Sequence, residues 1–261
     1  MSLPEPRGRV ALCGFPLDAV TRAETVDRAM ALAEGGRGGV LMTVNLDILR
    51  QMTRDTELAR FARDADCCVA DGMPLVWAAR LRGRPLPERV CGSDLVWDLP
   101  AAAADRGVPM LLLGGNPGIA ARAAAILRDR HPDLTVASHC PPFGFEDDPA
   151  AYERIRDALR KADPGLVLVA LGCPRQERLI ARLAPEFPRV CWLGCGYAFS
   201  FVAGEQARAP RIWQRLGLEW LHRLASEPGR LWRRYLVHDI PFALRLFADA
   251  LRQRLKHGAA A

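Results

Sequence analysis

The sequence lacks several patterns by which common protein classes are recognised. No apolar stretch of about 18 or more residues occurs, so no transmembrane helix is expected. The first ten residues, MSLPEPRGRV, contain no long apolar segment, so no secretory signal is predicted and the protein is expected in the cytoplasm. No G-x-G-x-x-G segment follows a predicted strand, and no Walker lysine follows a glycine-rich turn. These absences disfavour a dinucleotide-dependent oxidoreductase and a P-loop enzyme.

Disulfides and metal sites are also not indicated, although the chain has eight cysteines. Most of the cysteines lie in or beside apolar, strand-like segments, where a thiol behaves as a small hydrophobic group. Cys191 and Cys195 are four residues apart, but no second pair with zinc-ligand spacing accompanies them. No histidine lies near a cysteine cluster at ligand spacing. We therefore predict no metal and no other bound cofactor.

The charge is concentrated at the carboxyl end of the chain. The 261 residues are half hydrophobic and a quarter charged, as in a soluble globular protein. Residues 211–261 contain ten basic and four acidic residues, so this segment alone carries the net charge of +6 of the whole chain. We predict a catalytic domain over residues 1–210 and a basic appendage over 211–261 that meets an anionic surface.

Predicted strands alternate with predicted helices along residues 9–193. This order predicts an α/β fold with a mostly parallel, Rossmann-like sheet, helices on both faces and a C-terminal helical appendage. Helix starts are expected at the Thr21 capping box, at Asn116 and at Asp148. The expected strands are Arg9–Phe15, Gly39–Val44, Cys67–Ala70, Pro109–Leu113, Leu134–Ser138, Leu166–Leu171 and Val190–Leu193.

Asp71 is the most informative single residue. The apolar segment Cys67–Ala70 leads directly to Asp71 and Gly72, and a predicted helix with Pro74 in its first turn follows. Asp71 thus lies at the carboxyl end of a strand, where open α/β sheets bind their ligands. Two interpretations fit this position. The carboxylate is a general base, or it only caps the next helix.

Other predicted strand ends also carry polar or glycine residues. Thr43 and Asn45 follow one strand and Gln176 and Glu177 follow another, while Arg89 lies in a loop. An arginine near a phosphate site neutralises a leaving diphosphate, whereas most loop arginines are only solvated.

Gly114 and Gly115 stand between a strand and a helix. Glycines at that place leave backbone N–H groups for phosphate, or they form only a tight turn.

Five segments in order resemble the WecG/TagA/CpsF family of bacterial glycosyltransferases, and the resemblance covers about residues 9–240. The segments are TVNLDIL, ADGMPLVWAARLRG, ERVCGSDL, LLGGNPG and LGCPRQE. The resemblance implies transfer of a sugar from a UDP-sugar to a polyprenyl-diphosphate-linked saccharide at the inner membrane face. It further implies inversion at the anomeric carbon without an essential metal, in the synthesis of a cell-surface polysaccharide.

The same resemblance assigns roles to individual residues. Asp71 matches the proposed base, Thr43 and Asn45 match polar residues of the pocket beside it, and Arg89 matches an arginine that engages the diphosphate or acceptor. Gln176 matches the glutamine of a G-x-P-x-Q-E segment. The predicted substrate-binding residues are Thr43, Asn45, Gly114, Gly115, Gln176 and Glu177. Leu46 and Cys91 depart from the family pattern without removing a functional group.

The appendage combines arginines with Trp213, Trp220 and Trp232, a composition that suits a membrane interface. Its periodicity predicts two amphipathic helices separated at Pro228 and Gly229. We expect a peripheral protein on the anionic inner face of the plasma membrane. The alternative is that the apolar stripe packs on the body or on another subunit, which admits a homo-oligomer. No nucleic-acid-binding signature accompanies the basic residues.

The sequence therefore predicts an inverting, UDP-sugar-dependent hexosyltransferase. The transferred sugar is of the N-acetylmannosamine, N-acetylmannosaminuronic acid or glucose type, and the sequence does not select among them or identify the acceptor. Two other classes stay open: another nucleotide-binding α/β enzyme, and a non-catalytic scaffold on the membrane.

Overall fold

A computed structural model describes residues 8–206, 208–210, 212–213 and 217–258 of the chain. The predicted appendage is described in part, because residues 211, 214–216 and 259–261 lie outside these ranges. Contacts divide the described residues into two compact units. The first consists of residues 22–42 and 92–206, and the second of residues 8–21, 43–91 and the described residues from 208 onward. The domain boundary expected at residue 210 stays a prediction.

The central sheet confirms the predicted α/β class. It has six parallel strands in the order β4-β3-β8-β7-β5-β6. Long apolar residues such as Leu112 and Leu168 are paired on neighbouring strands and are fully buried, as expected for a parallel sheet covered by helices. The strands of this sheet are β3 (Gly39–Val44), β4 (Cys67–Ala70), β5 (Met110–Gly114), β6 (Val136–His139), β7 (Leu166–Ala170) and β8 (Cys191–Gly194).

The single strand predicted over Arg9–Phe15 is wrong. The structure has two short antiparallel strands there, β1 (Arg9–Leu12) and β2 (Phe15–Asp18), which form a sheet of their own. Cys13 and Gly14 connect them with φ values of 51° and 81°. Two successive residues at positive φ are typical of a tight hairpin turn. Because Cys13 is not a residue that usually adopts positive φ, the sequence did not indicate this turn.

Helices flank the sheet, and further helices follow its last strand in the sequence. Asp148 caps its helix as predicted, accepting a hydrogen bond from the Ala150 N–H at 2.9 Å. The helix expected at Asn116 instead has Gly118 as its N-cap, with φ of 81°. The helices are α1 (Arg22–Glu34), α2 (Leu46–Met52), α3 (Thr56–Asp64), α4 (Met73–Leu81), α5 (Gly92–Arg106), α6 (Ile119–Arg130), α7 (Pro149–Ala162), α8 (Arg175–Leu183), α9 (Ala198–Val202), α10 (Glu219–Ser226), α11 (Pro228–Trp232) and α12 (Ile240–Gly258).

The described C-terminal segment is helical and packs within the second unit. A break follows Ser226, close to the predicted separation, and α11 then continues through a π-helical turn (Arg233–Asp239) into α12, which contacts α4. Gly217 passes so close to α4 that a Cβ atom there would lie 2.8 Å from Met73 Cβ and from Trp77 Cζ2. Among the described residues, the structure has no helix that is both long and apolar enough to cross a bilayer.

Candidate active site

The eight residues predicted for the site fall into two groups, one in each unit. Thr43, Asn45, Asp71 and Arg89 belong to the second unit. Gly114, Gly115, Gln176 and Glu177 belong to the first.

Backbone contacts bring Asp71 beside the end of β3. The Asp71 N–H donates a hydrogen bond to the Val44 carbonyl oxygen at 2.8 Å. A Cβ atom at Gly72 would lie 4.0 Å from the Asn45 Cβ, so the two chain segments are in van der Waals contact. Thr43 precedes this junction and is buried. The adjacency expected from the sequence is therefore present in the backbone.

Helix α4 begins just after Asp71. Its N-cap residue is Gly72, which has no side chain that could cap the helix. The first turn instead contains Pro74, whose lack of an N–H removes one of the donors that a cap would satisfy. Asp71 thus lies at the carboxyl end of β4, one residue before the N-cap of α4.

Asn45 does have a structural role. It is the N-cap of α2, and its Oδ1 atom accepts a hydrogen bond from the Ile48 N–H at 3.0 Å. The position of Asn45 beside Gly72 is consequently tied to the position of α2.

Arg89 lies next to Asp71 because the following residue, Val90, donates its N–H to the Ala70 carbonyl oxygen at 2.9 Å. Its guanidinium is held by the C-terminal segment: Arg89 Nη1 donates to Glu219 Oε2 at 2.9 Å, and both side chains are largely buried. Arg208 Nε lies 3.6 Å from the other oxygen of Glu219. Arg89 is therefore not the solvated loop arginine of the alternative interpretation.

The electrostatic surroundings keep Arg89 charged. Burial opposes the charge, but the Cys91 thiol, the hydrogen bond to Glu219 and the nearby Asp71 outweigh it, so the pKa of Arg89 is raised above its usual range. A fixed positive charge thus acts on the Asp71 carboxylate.

In the first unit, a cavity of about 270 Å³ opens at the carboxyl ends of β5, β7 and β8. Gly115 lines it, but the Gly115 N–H donates to the Ala170 carbonyl oxygen at 2.7 Å and is thus already used within the protein. Gly114 allows the neighbouring strands to approach, since a Cβ atom there would lie 2.8 Å from the Ala170 oxygen. The cavity is also lined by Asn116, Pro117, Pro141, Pro142, Phe143, Phe145, Leu171, Gly172, Arg175, Gly196, Tyr197, Phe199 and Ser200.

Gln176 and Glu177 are buried behind this lining. Gln176 Oε1 accepts the Gly196 N–H at 3.0 Å, and Gln176 Nε2 donates to Glu177 Oε1 at 2.8 Å. Burial raises the pKa of Glu177. The pair fixes the turn that follows β8, which contributes Gly196 and Tyr197 to the cavity. Their assigned contact with substrate stays a prediction.

Sequence reasoning missed the groups with the clearest means of binding a ligand in this cavity. Arg175 pairs with Glu146, and its guanidinium lies 5.8 Å from the centre of the Phe145 ring. The hydrogen bond from Arg175 lowers the pKa of Glu146. Phe143 is 83% exposed and Tyr197 is 40% exposed. The only signal was the place of Arg175 inside the LGCPRQE segment.

A model of a known protein family matches most of the chain. The model of the glycosyl transferase WecG/TagA/CpsF family matches residues 10–256. The chain belongs to this family. It is therefore a glycosyltransferase of cell-surface polysaccharide synthesis, acting on a nucleotide-sugar donor and an acceptor.

The contact between Arg89 and Glu219 can be measured as a coupling free energy. In a double-mutant cycle with Arg89→Ala and Glu219→Ala, we expect each single variant to be destabilised, because a largely buried charge loses its partner. The double variant should lose less than the sum of the two, with a coupling of about 1–3 kcal/mol in urea unfolding. The exposed pair Arg60 and Asp64 provides the control cycle, where coupling should be below about 0.5 kcal/mol. Additive losses at Arg89 and Glu219 would show that the contact contributes nothing.

Proposed function

We propose that the protein transfers a sugar from a UDP-sugar to a polyprenyl-diphosphate-linked saccharide, with inversion at the anomeric carbon and without a metal ion. The observation that supports this most directly is the position of Asp71. Asp71 stands at the carboxyl end of a parallel strand, next to the chain segment of Asn45 and to a charged arginine.

Inversion requires a base on the face of the sugar opposite the departing UDP. A sugar hydroxyl is a poor nucleophile near neutral pH, so its proton must be removed as the new bond forms. In the proposed reaction, Asp71 accepts that proton and the hydroxyl oxygen attacks the anomeric carbon. The bond to the UDP oxygen breaks as the glycosidic bond forms.

The leaving diphosphate acquires negative charge in the transition state. A fixed guanidinium stabilises such charge without reorganising, and this is the role that we assign to Arg89. Asn45 and Thr43 are assigned to the pocket beside the base. The donor sugar belongs to the N-acetylmannosamine, N-acetylmannosaminuronic acid or glucose type.

The cavity of the first unit, taken by itself, is a candidate site for a nucleotide. Its volume of about 270 Å³ is slightly below the usual range for small-molecule sites, about 300–1,000 Å³. The exposed rings of Phe143 and Tyr197 offer surfaces for a base, and Arg175 offers a cation for a phosphate group. A phosphate would compete with Glu146 for that guanidinium.

The C-terminal segment supports a peripheral location on the inner face of the plasma membrane. Ile240, Leu244, Leu251 and Leu255 of α12 are exposed and recur at spacings of four, seven and four residues, so they share one helix face. Basic residues stand on both sides of that face, as expected of a helix that lies in an anionic lipid interface. The basic residues are Arg245, Arg252, Arg254 and Lys256.

The role of Asp71 is tested by Asp71→Asn, which preserves shape but removes most of the basicity. We expect kcat for sugar transfer to fall by at least about 100-fold. The assay measures UDP release from a panel of UDP-sugars in the presence of a polyprenyl-diphosphate-linked saccharide. Asp64→Asn, at the exposed end of α3, is the matched control and should retain full activity. Turnover near that of the wild type in Asp71→Asn would refute the assignment, whereas Asp71-dependent turnover excludes a scaffold.

The role of Arg175 is tested by binding. UDP, but not NAD, should protect the protein against thermal unfolding, because a bound ligand stabilises the folded state. Arg175→Ala should weaken UDP binding by about tenfold while leaving uridine binding nearly unchanged, since only UDP carries the phosphates. Arg189→Ala, on an exposed arginine, is the control. Equal losses for UDP and uridine would show that Arg175 does not contact phosphate.

The membrane role of α12 is tested by Leu244→Ser combined with Leu255→Ser. Both leucines are 65% exposed, so the melting temperature should not change. Sedimentation with phosphatidylglycerol vesicles should weaken by at least about tenfold, because two apolar side chains no longer enter the lipid. Neutral phosphatidylcholine vesicles report the apolar contribution alone. Unchanged sedimentation together with a smaller oligomer in solution would assign this face to subunit packing.

A further inference from the structure

Four charged side chains meet where α2 packs against the π-helical turn. Asp47 and Arg50 belong to α2, and Arg234 and Asp239 belong to the π-helical turn. We call these four residues the charge cluster. They all lie in the second unit.

The contacts of the charge cluster form a closed set. Arg50 pairs with Asp47, and Arg50 Nε donates to Asp239 Oδ1 at 3.2 Å. Arg234 Nη2 lies 3.0 Å from Asp47 Oδ2, and Arg234 Nε lies 3.8 Å from Asp239 Oδ2. Each carboxylate is therefore held by both guanidinium groups, and each arginine joins the two helical segments. Gln51 Nε2 adds a hydrogen bond to Asp47 Oδ2 at 2.9 Å.

The two carboxylates of the charge cluster are buried, and the pKa of Asp239 is raised. Asp47 and Asp239 are 7% and 6% exposed. Burial and repulsion by Asp47 raise the pKa of Asp239 to about 6, although Arg234 and Arg50 act in the opposite direction. A carboxyl whose pKa is higher in the folded state stabilises the fold when protonated, and this stabilisation is lost as the pH rises through about 6.

The place of the charge cluster suggests what it is for. Asn45 caps the N-terminus of α2, two residues before Asp47, and lies against Gly72, directly after Asp71. Because α2 has only seven residues, a displacement of Asp47 and Arg50 also displaces its N-cap. The partner residues stand on a π-helical turn, a rare geometry that occurs often at functional sites.

We propose that Arg234 and Asp239 are positioning residues: through Asp47 and Arg50 they fix α2, and through its N-cap Asn45 they fix the segment Thr43–Asn45 beside Asp71. This inference rests on the proposed function of Asp71 and Asn45. It makes the C-terminal segment a support of the candidate catalytic group rather than a membrane anchor alone. A small misplacement of a polar group at a reacting centre costs turnover more than it costs binding.

The test uses the full chain with Asp239→Asn. We expect kcat to fall about tenfold with little change in KM for the donor, because the pocket beside the base is displaced. The melting temperature at pH 7.5 should also fall, because Arg50 and Arg234 lose a buried partner, so kcat is measured well below it. The difference in kcat from the wild type should become smaller as the pH falls below about 6, because Asp239 of the wild type is then protonated and uncharged, as the asparagine is. The charged groups acting on Asp239 are Asp47, Arg50 and Arg234.

Hydrogen exchange gives a measurement that needs no turnover. The Ile48 N–H, bonded to Asn45, should exchange about tenfold faster in Asp239→Asn, because opening of the α2 N-terminus becomes easier. Arg234→Gln should act in the same direction and serves if the first variant does not fold. Asp249→Asn on α12, outside the charge cluster, is the matched control and should change neither measurement.

The outcomes separate the two proposals. If the wild type transfers no sugar from any UDP-sugar, the proposed function fails, while exchange at Ile48 still tests the positioning. Unchanged exchange at Ile48 and unchanged kcat in both variants would overturn the inference. A fall in kcat that only parallels a fall in melting temperature would also overturn it, because it would show a purely structural role.

Discussion

One backbone hydrogen bond determines where the candidate catalytic residues of the second unit lie. The Asp71 N–H donates to the Val44 carbonyl oxygen and thereby joins the carboxyl ends of β3 and β4. In a parallel sheet these ends lie at one edge, so two segments that are distant in sequence present their side chains together. The hydrogen bond from Val90 to Ala70 brings the Arg89 loop to the same edge. Each assigned role in that unit depends on this arrangement.

The charged side chains around this edge are compensated in small groups. Arg89 has Glu219, and Arg50 has Asp47 and Asp239. Burying a charge is costly unless a partner of opposite sign accompanies it, so these groups persist only while the C-terminal segment is folded against the unit. The segment that is rich in positive charge thus supplies acids, Glu219 and Asp239, where the body supplies arginines. The positive net charge of the segment therefore does not indicate that its acidic residues pair with arginines of the body.

The sequence was sufficient where local chemistry decides the structure. β3 and β4 have the predicted bounds because short apolar segments end at polar residues, and α7 begins at Asp148 because an aspartate followed by proline is a strong helix start. It was insufficient where tertiary packing decides. Helix α5 contains Pro100 in its interior, which argues locally against a helix, and it was not predicted. Gly118 rather than Asn116 begins α6, because the turn after β5 needs a residue at positive φ.

The same division applies to the site. Asp71 was identifiable because it directly follows a strand, which is a local feature of the sequence. Glu219 was not, because it meets Arg89 from a position 130 residues later in the chain, and no local pattern records such a pairing. Arg175 is an intermediate case. Its segment was recognised, but the roles were assigned to the next two residues, Gln176 and Glu177, which the structure buries. The buried pair and the half-buried cation beside it have different uses. The buried pair shapes the wall of the cavity, and the cation is free to turn toward a ligand only by leaving Glu146. In the proposed binding at this cavity, a phosphate group therefore competes with Glu146 for the Arg175 guanidinium.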